Sequence, residues 1–177
     1  MSPSMIPFRI LAPALLLATL ASAGAALAAD LTVSESVALE ASPSAVWAVL
    51  GKFSGLPGWH PAVANTEIVK GNDNAMGAVR SITTRDGAVI VEELLSYDGS
   101  AHSMTYRIAE SPLPVKGYVS TLAVAPSGSG SVVFWRSGFE RDPAANDISD
   151  DKAREIVRGI YRAGFEGLRA ALGESGR

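Results

Sequence analysis

Apolar and polar residues alternate along seven stretches of the chain. Such alternation indicates β-strands, because successive side chains of a strand point to opposite faces of the sheet. Glycine, proline, asparagine and aspartate separate the stretches, as is typical of turns. The predicted strands are residues 33–39, 66–70, 78–84, 88–97, 103–109, 115–124 and 131–139. Asp86-Gly87 between two of them is a strong hairpin signal, so the pattern predicts antiparallel pairing.

Two short helices are predicted after the first strand. Ser42-Pro43 supplies an N-cap followed by proline at the first helical position, and apolar residues then recur at helical spacing over residues 45–53. The helix ends at Ser54-Gly55. The second element, around Trp59-His60-Pro61, is expected to be a single turn or irregular structure.

A long amphipathic helix is predicted at the C-terminal end. It begins after the N-cap Ser149, carries Asp150 and Asp151 in its first turn, and ends at Gly173. Its apolar positions follow helical periodicity and are Ala153, Ile156, Val157, Ile160, Tyr161, Gly164, Phe165, Leu168, Ala171 and Leu172. A half-apolar antiparallel sheet and one such helix predict an α+β fold in which a seven-stranded curved sheet wraps around the helix.

The N-terminal segment is typical of an export signal. Arg9 precedes an uncharged apolar run, and small residues lead to a predicted cleavage site after Ala28. A retained membrane anchor is the alternative, although Pro13 and Gly24 disfavour a spanning helix. We therefore expect a signal peptide at residues 1–28, one domain at residues 29–177, a periplasmic location and no stable membrane anchor.

Composition excludes several functional classes. The chain has no cysteine, which rules out disulfides, thiolate metal sites and cysteine nucleophiles. Fifteen basic residues against 18 acidic ones give a net charge of −3, which argues against nucleic-acid binding. His60 and His102 are the only histidines. We therefore expect neither a bound metal nor a cofactor.

Two residues are candidates for acid–base chemistry. His60 titrates near neutral pH in its unperturbed state, but it could equally cap a local turn while Trp59 closes the end of the sheet. Glu92 and Glu93 are adjacent in a strand and so face opposite sides. Glu92 could enter an apolar cavity as an acid or base, or could form a cross-strand ion pair. The candidate partners for such a pair are Arg80, Arg85 and Arg107.

A ligand pocket is predicted from aromatic and apolar residues on the strands and on one face of the long helix. Gly164 on the helix stripe suggests either close packing or space for a ligand, whereas Gly159 lies beside the stripe. The predicted pocket residues are Trp59, His60, Glu92, Met104, Tyr106, Tyr118, Trp135, Ile160, Tyr161, Gly164 and Phe165.

Short segments in the same order along the chain carry a family resemblance. They are Ala41-Ser42-Pro43 with Val46-Trp47, Trp59-His60-Pro61-Ala62-Val63, Gly77-Ala78-Val79-Arg80, Glu92 with Tyr97-Asp98, Tyr106-Arg107-Ile108, Pro114-Val115 with Tyr118-Val119-Ser120, then Val132, Trp135, Phe139 and Gly159-Ile160-Tyr161-Arg162-Ala163-Gly164. With them, the chain resembles the helix-grip superfamily of START domains, Bet v 1-type allergens and polyketide cyclase/dehydrase-like (SRPBCC) proteins. Within it, the chain most resembles the periplasmic methanol-oxidation accessory proteins of the MxaD type.

The resemblance implies a cavity for a small apolar or aromatic ligand between sheet and helix. It also implies a non-catalytic accessory role beside a periplasmic quinoprotein alcohol dehydrogenase and its cytochrome. Two alternatives stay open. One is a cyclase or dehydratase acting on an aromatic or polyketide-type substrate, and the other is an interaction module whose cavity is filled by side chains.

Overall fold

The computed structural model describes residues 31–174. The predicted export signal at residues 1–28 lies outside the described residues. The strands are β1 (Leu31–Leu39), β2 (Val63–Lys70), β3 (Val79–Thr84), β4 (Val89–Asp98), β5 (Ser103–Glu110), β6 (Val115–Ser127) and β7 (Gly130–Arg141). The helices are α1 (Pro43–Leu50) and α2 (Asp150–Ala171), and a single 3₁₀ turn spans Leu56–Gly58.

The seven strands form one antiparallel sheet in the order β1-β7-β6-β5-β4-β3-β2. Consecutive strands from β2 to β7 are neighbours. β1 is the edge strand beside β7 and pairs with it along its whole length. Register shifts occur in the β2–β3, β4–β5 and β6–β7 pairs. Irregularities of this kind bend strands and increase their twist, which explains how the sheet curves around a helix. The predicted helix-grip fold is confirmed.

Local signals place both helices where the sequence predicts them. The Ser42 hydroxyl accepts a hydrogen bond from the Ala45 amide, and the Ser149 hydroxyl accepts one from the Lys152 amide. Gly173 follows α2 with φ of +74°, a conformation that glycine adopts without strain. The second predicted short helix is only the 3₁₀ turn, because Gly58 has a low helix propensity and Pro61 disfavours a helical conformation of His60.

The position of α2 leaves part of the sheet uncovered. The helix packs against β1 and β7 at one side of the sheet. Arg158 and Arg162 reinforce this placement, since both donate hydrogen bonds to the carboxylate of Glu35 on β1, at 2.9 and 3.1 Å. Space therefore remains between α2 and the opposite half of the sheet, and the candidate site lies there.

Candidate ligand-binding cavity

A cavity of about 660 Å³ lies between α2 and strands β3 to β5. Its wall is predominantly apolar, and its volume falls within the usual range of small-molecule sites. The aliphatic and proline lining residues are Leu56, Ala62, Val63, Ile82, Ala88, Ile90, Ile108, Pro112, Leu113, Ile156, Val157, Ile160 and Ala163. The cavity therefore suits a ligand with a substantial apolar surface.

The cavity has an exposed mouth and a buried inner end. Arg85 and Asp86 in the β3–β4 hairpin, Pro112 in the β5–β6 loop and Gly159 on α2 line it and are exposed. Its mouth therefore lies between these three elements. The lining residues at the other end are buried, and several of them are polar or aromatic. They are His60, Arg80, Glu92, Tyr106, Tyr118, Trp135 and Tyr161.

Arg80 and Glu92 form a buried ion pair at this inner end. They are directly opposite each other on β3 and β4, and their side chains are only 5% and 8% exposed. Arg80 donates from Nε and Nη2 to the same carboxylate oxygen, Oε2 of Glu92, at 2.8 and 2.5 Å. Arg80 Nη1 donates to the Phe53 carbonyl, and the guanidinium carbon lies 4.0 Å from the centre of the Phe53 ring. The guanidinium is therefore held on three sides, and the cross-strand pair is one of the two alternatives raised by the sequence.

A chain of hydroxyl groups crosses from the sheet to α2. The Tyr118 and Tyr161 hydroxyl oxygens are 2.5 Å apart, and Tyr161 is 3.2 Å from Ser120 Oγ. Ser120 Oγ donates to the Arg136 carbonyl at 2.9 Å. Trp135 Nε1 donates to Ser120 Oγ at 3.1 Å. The same N–H also reaches the hydroxyl of Tyr106 on β5.

The three tyrosine hydroxyls of the inner end are neutral. Tyr106 is one of them, and its hydroxyl accepts from Trp135 Nε1 at 2.9 Å. Burial raises the pKa of Tyr106, Tyr118 and Tyr161, and the nearby negative charge of Glu92 raises the pKa of Tyr106 further. All three hydroxyls therefore keep their protons at neutral pH and act as neutral hydrogen-bonding groups.

His60 is engaged by backbone groups on both sides of its ring. Nδ1 accepts from the Ala62 amide at 3.3 Å, so Nε2 carries the proton that it donates to the Ile160 carbonyl of α2 at 3.1 Å. Burial lowers the pKa of His60, an effect that the hydrogen bond to Ile160 partly offsets and the charge of Arg80 reinforces. His60 is thus a neutral link between the segment before β2 and the helix, which matches the structural alternative for this residue.

Seven of the eleven predicted pocket residues line the cavity, namely His60, Glu92, Tyr106, Tyr118, Trp135, Ile160 and Tyr161. Trp59, Met104, Gly164 and Phe165 do not. Trp59 and Met104 instead border a void of about 10 Å³ on the far side of Tyr106 and Trp135. Phe165 packs near Trp135, with ring centres 6.1 Å apart.

The two glycines of α2 have different surroundings, and of the two alternatives raised by the sequence for Gly164 the structure shows close packing. Gly164 is closely packed: a Cβ there would lie 2.7 Å from Trp135 Cζ3 and 3.0 Å from His60 Cδ2. Gly159 lines the cavity, and a Cβ there would meet nothing within 4 Å. The space beside the helix is thus at Gly159, because the most buried side of α2 contacts the sheet and the aromatic cluster while its flank faces the cavity.

Sequence reasoning also missed other lining residues. Arg80 was considered only as a partner for Glu92, and Ile156, Gly159 and Ala163 were not assigned to the pocket. With Ile160, these three occupy positions i, i+3, i+4 and i+7 of α2, so the same periodicity that identified the helix could have revealed this second stripe.

Residues 31–174 contain no group of three or more histidine, aspartate and glutamate side chains placed to hold a metal ion. Within the same residues, no helix combines the length and apolarity needed to span a bilayer.

Comparison with known proteins identifies the family. Residues 30–173 match the model of the family described as polyketide cyclase / dehydrase and lipid transport. A search of curated proteins found no match.

Several solved structures are similar to this chain. An uncharacterized protein from Bacillus thuringiensis is 31% identical, with a TM-score of 0.72, over 80% of this chain and 98% of that one. The protein XoxI from Bacillus cereus is 30% identical, with a TM-score of 0.72, over 82% of this chain and 99% of that one. The ZhuI aromatase/cyclase from Streptomyces sp. R1128, at 20% identity and a TM-score of 0.63 over 81% and 92% of the two chains, shares the fold. The chain therefore belongs to the polyketide cyclase / dehydrase and lipid transport family.

Proposed function

We propose that this protein binds a small apolar or aromatic ligand in the cavity beneath α2, without transforming it. The observation that carries the proposal is the cavity itself, about 660 Å³ in volume, apolar over most of its wall and open beside Gly159. An apolar ligand would gain about 25 cal/mol for each Å² of apolar surface removed from water. Membership of a family that includes lipid transport supports the same role.

The polar groups of the inner end support binding over catalysis. Acid–base catalysis needs a group that can take up or release a proton beside the substrate. Both ring nitrogens of His60 are engaged by backbone groups, and the Glu92 carboxylate is held by Arg80. Proton transfer by His60 or by Oε2 of Glu92 would therefore have to displace contacts that stabilise the fold.

We further propose that the protein is exported to the periplasm and assists a quinoprotein alcohol dehydrogenase or its cytochrome. This part rests on the N-terminal export pattern and on the resemblance to MxaD-type proteins. Fractionation of the host should find the chain in the periplasm with residues 1–28 removed. Affinity capture from that fraction should recover a quinoprotein dehydrogenase or a cytochrome, and recovery of neither would contradict the accessory role.

Ligand binding can be tested with N-phenyl-1-naphthylamine, an apolar dye that fluoresces on entering an apolar site. Wild-type protein should bind it saturably at one site. Gly159→Leu places a side chain in the cavity and should weaken binding about tenfold or more, equivalent to at least about 1.4 kcal/mol. The fold should not suffer, because leucine has a higher helix propensity than glycine.

Glu166→Leu is the matched control, since Glu166 is exposed on α2 and does not line the cavity. It adds the same side chain to the same helix and should leave dye binding unchanged. Equal effects of both substitutions, or no saturable binding by the wild type, would contradict the proposal.

A further inference from the structure

The hydroxyl chain at the inner end of the cavity has a definite direction. The Ser120 hydroxyl donates its only proton to the Arg136 carbonyl, so Tyr161 must be the donor in its hydrogen bond with Ser120 Oγ. Tyr161 then has no proton left for Tyr118, and Tyr118 is the donor between those two. The single N–H of Trp135 is shared between Ser120 Oγ at 3.1 Å and the Tyr106 hydroxyl at 2.9 Å, so Tyr161 and this shared donor occupy both lone pairs of Ser120 Oγ.

This direction leaves the Tyr106 hydroxyl with an unused proton. Tyr106 accepts a hydrogen bond from Trp135, and its other hydroxyl neighbour among residues 31–174 is Ser120, directly opposite it on β6. Ser120 and Tyr106 share the N–H donor of Trp135, and Ser120 Oγ has no lone pair left to accept the Tyr106 proton. Tyr106 is 3% exposed and lines the cavity. Its proton is thus a buried donor without an acceptor in the described chain.

Glu92 provides the complementary acceptor. Both hydrogen bonds from Arg80 go to Oε2, and Oε1 has no hydrogen-bond partner among residues 31–174. The side chain is 8% exposed and lines the same cavity as Tyr106. Oε1 is therefore an accessible acceptor on the cavity wall, and a ligand that donates to it makes a hydrogen bond to a charged group, which is stronger than one between neutral groups.

The donor and the acceptor are neighbours on one face of the sheet. Leu94 pairs with Tyr106 across β4 and β5, and Glu92 pairs with Ile108. Glu92 and Tyr106 are therefore diagonal neighbours on adjacent strands, at a spacing of roughly 7–8 Å between backbone positions that their side chains can bridge. One ligand group can lie between them.

We propose that the inner end of the cavity recognises a ligand hydroxyl, phenolic or alcoholic, that donates to Glu92 Oε1 and accepts from the Tyr106 hydroxyl. This inference rests on the proposed binding function and specifies the ligand class. A carboxylate would face the negative charge of Glu92, and an ammonium group could not accept from Tyr106. A neutral hydroxyl satisfies both groups and leaves the rest of the ligand for the apolar wall.

Calorimetric titration with three probes of one skeleton tests this proposal. Naphthalene offers no polar group, 2-methoxynaphthalene offers an acceptor only, and 2-naphthol offers a donor and an acceptor. Wild-type protein should bind 2-naphthol about tenfold or more tighter than naphthalene, because a hydrogen bond to a charged acceptor is among the stronger ones. The methoxy compound should fall between them.

Variants separate the two contacts. Tyr106→Phe should abolish the advantage of 2-methoxynaphthalene over naphthalene and keep most of the advantage of 2-naphthol. Glu92→Gln should reduce the advantage of 2-naphthol and keep that of the methoxy compound. Tyr97→Phe is the matched control, because it removes a tyrosine hydroxyl that donates to the Gly51 carbonyl at 2.8 Å outside the cavity. It should preserve the full order of affinities.

The outcomes distinguish this inference from the proposed function. If naphthalene binds the wild type as tightly as 2-naphthol, or Tyr106→Phe behaves like Tyr97→Phe, the hydroxyl site is wrong while the apolar cavity still binds ligands. If neither the naphthalenes nor N-phenyl-1-naphthylamine binds, the proposed function is wrong and this inference falls with it. Should Glu92→Gln fail to fold, the Tyr106→Phe comparison decides alone.

Discussion

The indole ring of Trp135 and the phenol ring of Tyr161 stack face to face, with ring centres 4.3 Å apart and planes inclined by 9°. Trp135 lies on β7 and Tyr161 on α2, so the stack joins the sheet to the helix. Both are almost fully buried, and both also line the cavity. One pair of side chains therefore holds the helix in place and forms part of the ligand wall.

Two substitutions at Tyr161 should distinguish the contribution of its ring to stability from the contribution of its hydroxyl. Tyr161→Phe keeps the stack but leaves the Tyr118 proton without its acceptor, so the free energy of unfolding should fall by about 1–3 kcal/mol. Tyr161→Ala also removes the ring and should cost about 3–5 kcal/mol. Urea denaturation measures both. Similar losses for the two variants would mean that the stack contributes little.

Glu92 and Glu93 offer a matched pair of adjacent carboxylates. Glu92→Ala leaves the Arg80 guanidinium buried without its counter-ion, and we expect a loss of about 3–5 kcal/mol. Glu93→Ala breaks only the pair with Arg107, whose side chain is 51% exposed, and should cost about 0–1 kcal/mol. Chemical denaturation of both variants provides the measurement. A loss at Glu93 as large as that at Glu92 would show that burial does not set the difference.

The two glycines of α2 should respond to alanine in opposite ways. Gly159→Ala meets open space and should stabilise the protein by up to about 1 kcal/mol through helix propensity. Gly164→Ala forces a methyl group against Trp135 and His60 and should destabilise it by about 1–3 kcal/mol. Thermal unfolding followed by circular dichroism compares them. Stabilisation by both substitutions would contradict the close packing at Gly164.

His60 should make stability depend on pH on the acidic side of neutrality. Burial lowers its pKa in the folded protein below the ordinary value of 6.5, so the unfolded chain takes up a proton at a higher pH than the folded one. The free energy of unfolding should therefore fall as the pH decreases from about 6.5 towards the lowered folded-state pKa.

The measurement is the slope of the free energy of unfolding against pH, compared between variants. His60→Gln should reduce the slope between pH 6.5 and the acid side, whatever its effect on stability at neutral pH. His102→Gln keeps His60 in place and should retain the slope. A His60→Gln protein with the wild-type slope would show that other groups cause the pH dependence.

Local signals in the sequence account for the accuracy of the predicted elements. The hairpin at Asp86-Gly87 forms, with the Thr84 amide bonded to the Ala88 carbonyl at 2.9 Å and Gly87 at a φ of +88°. The caps at Ser42 and Ser149 form as predicted. Each signal acts within four residues along the chain, so the sequence alone can reveal it. The ends of β6 and β7 extend beyond the predicted strands because their pairing continues to Ser127 and Gly130.

The cavity was harder to predict than the fold. The aromatic residues Tyr106, Tyr118 and Tyr161 were expected to line it and do so, since large side chains on inward-facing positions converge in a curved sheet. Phe165 and Met104 share the same kind of position but lie behind Trp135 and Tyr106. Sequence periodicity indicates which face of an element is buried, but not which buried residues border empty space.

By itself, the sequence determined the seven strands, the helices α1 and α2 and their order, because alternation, helical periodicity and capping are local properties. Tertiary structure alone decided that α2 packs along β1 and β7, that Gly159 faces the cavity and Gly164 the aromatic cluster, and that Glu92 Oε1 has no donor and the Tyr106 proton no acceptor among residues 31–174. The reason is physical. Packing of the helix on a twisted, bulged sheet depends on contacts between residues distant in sequence, and those contacts set where space and unused hydrogen-bonding groups remain.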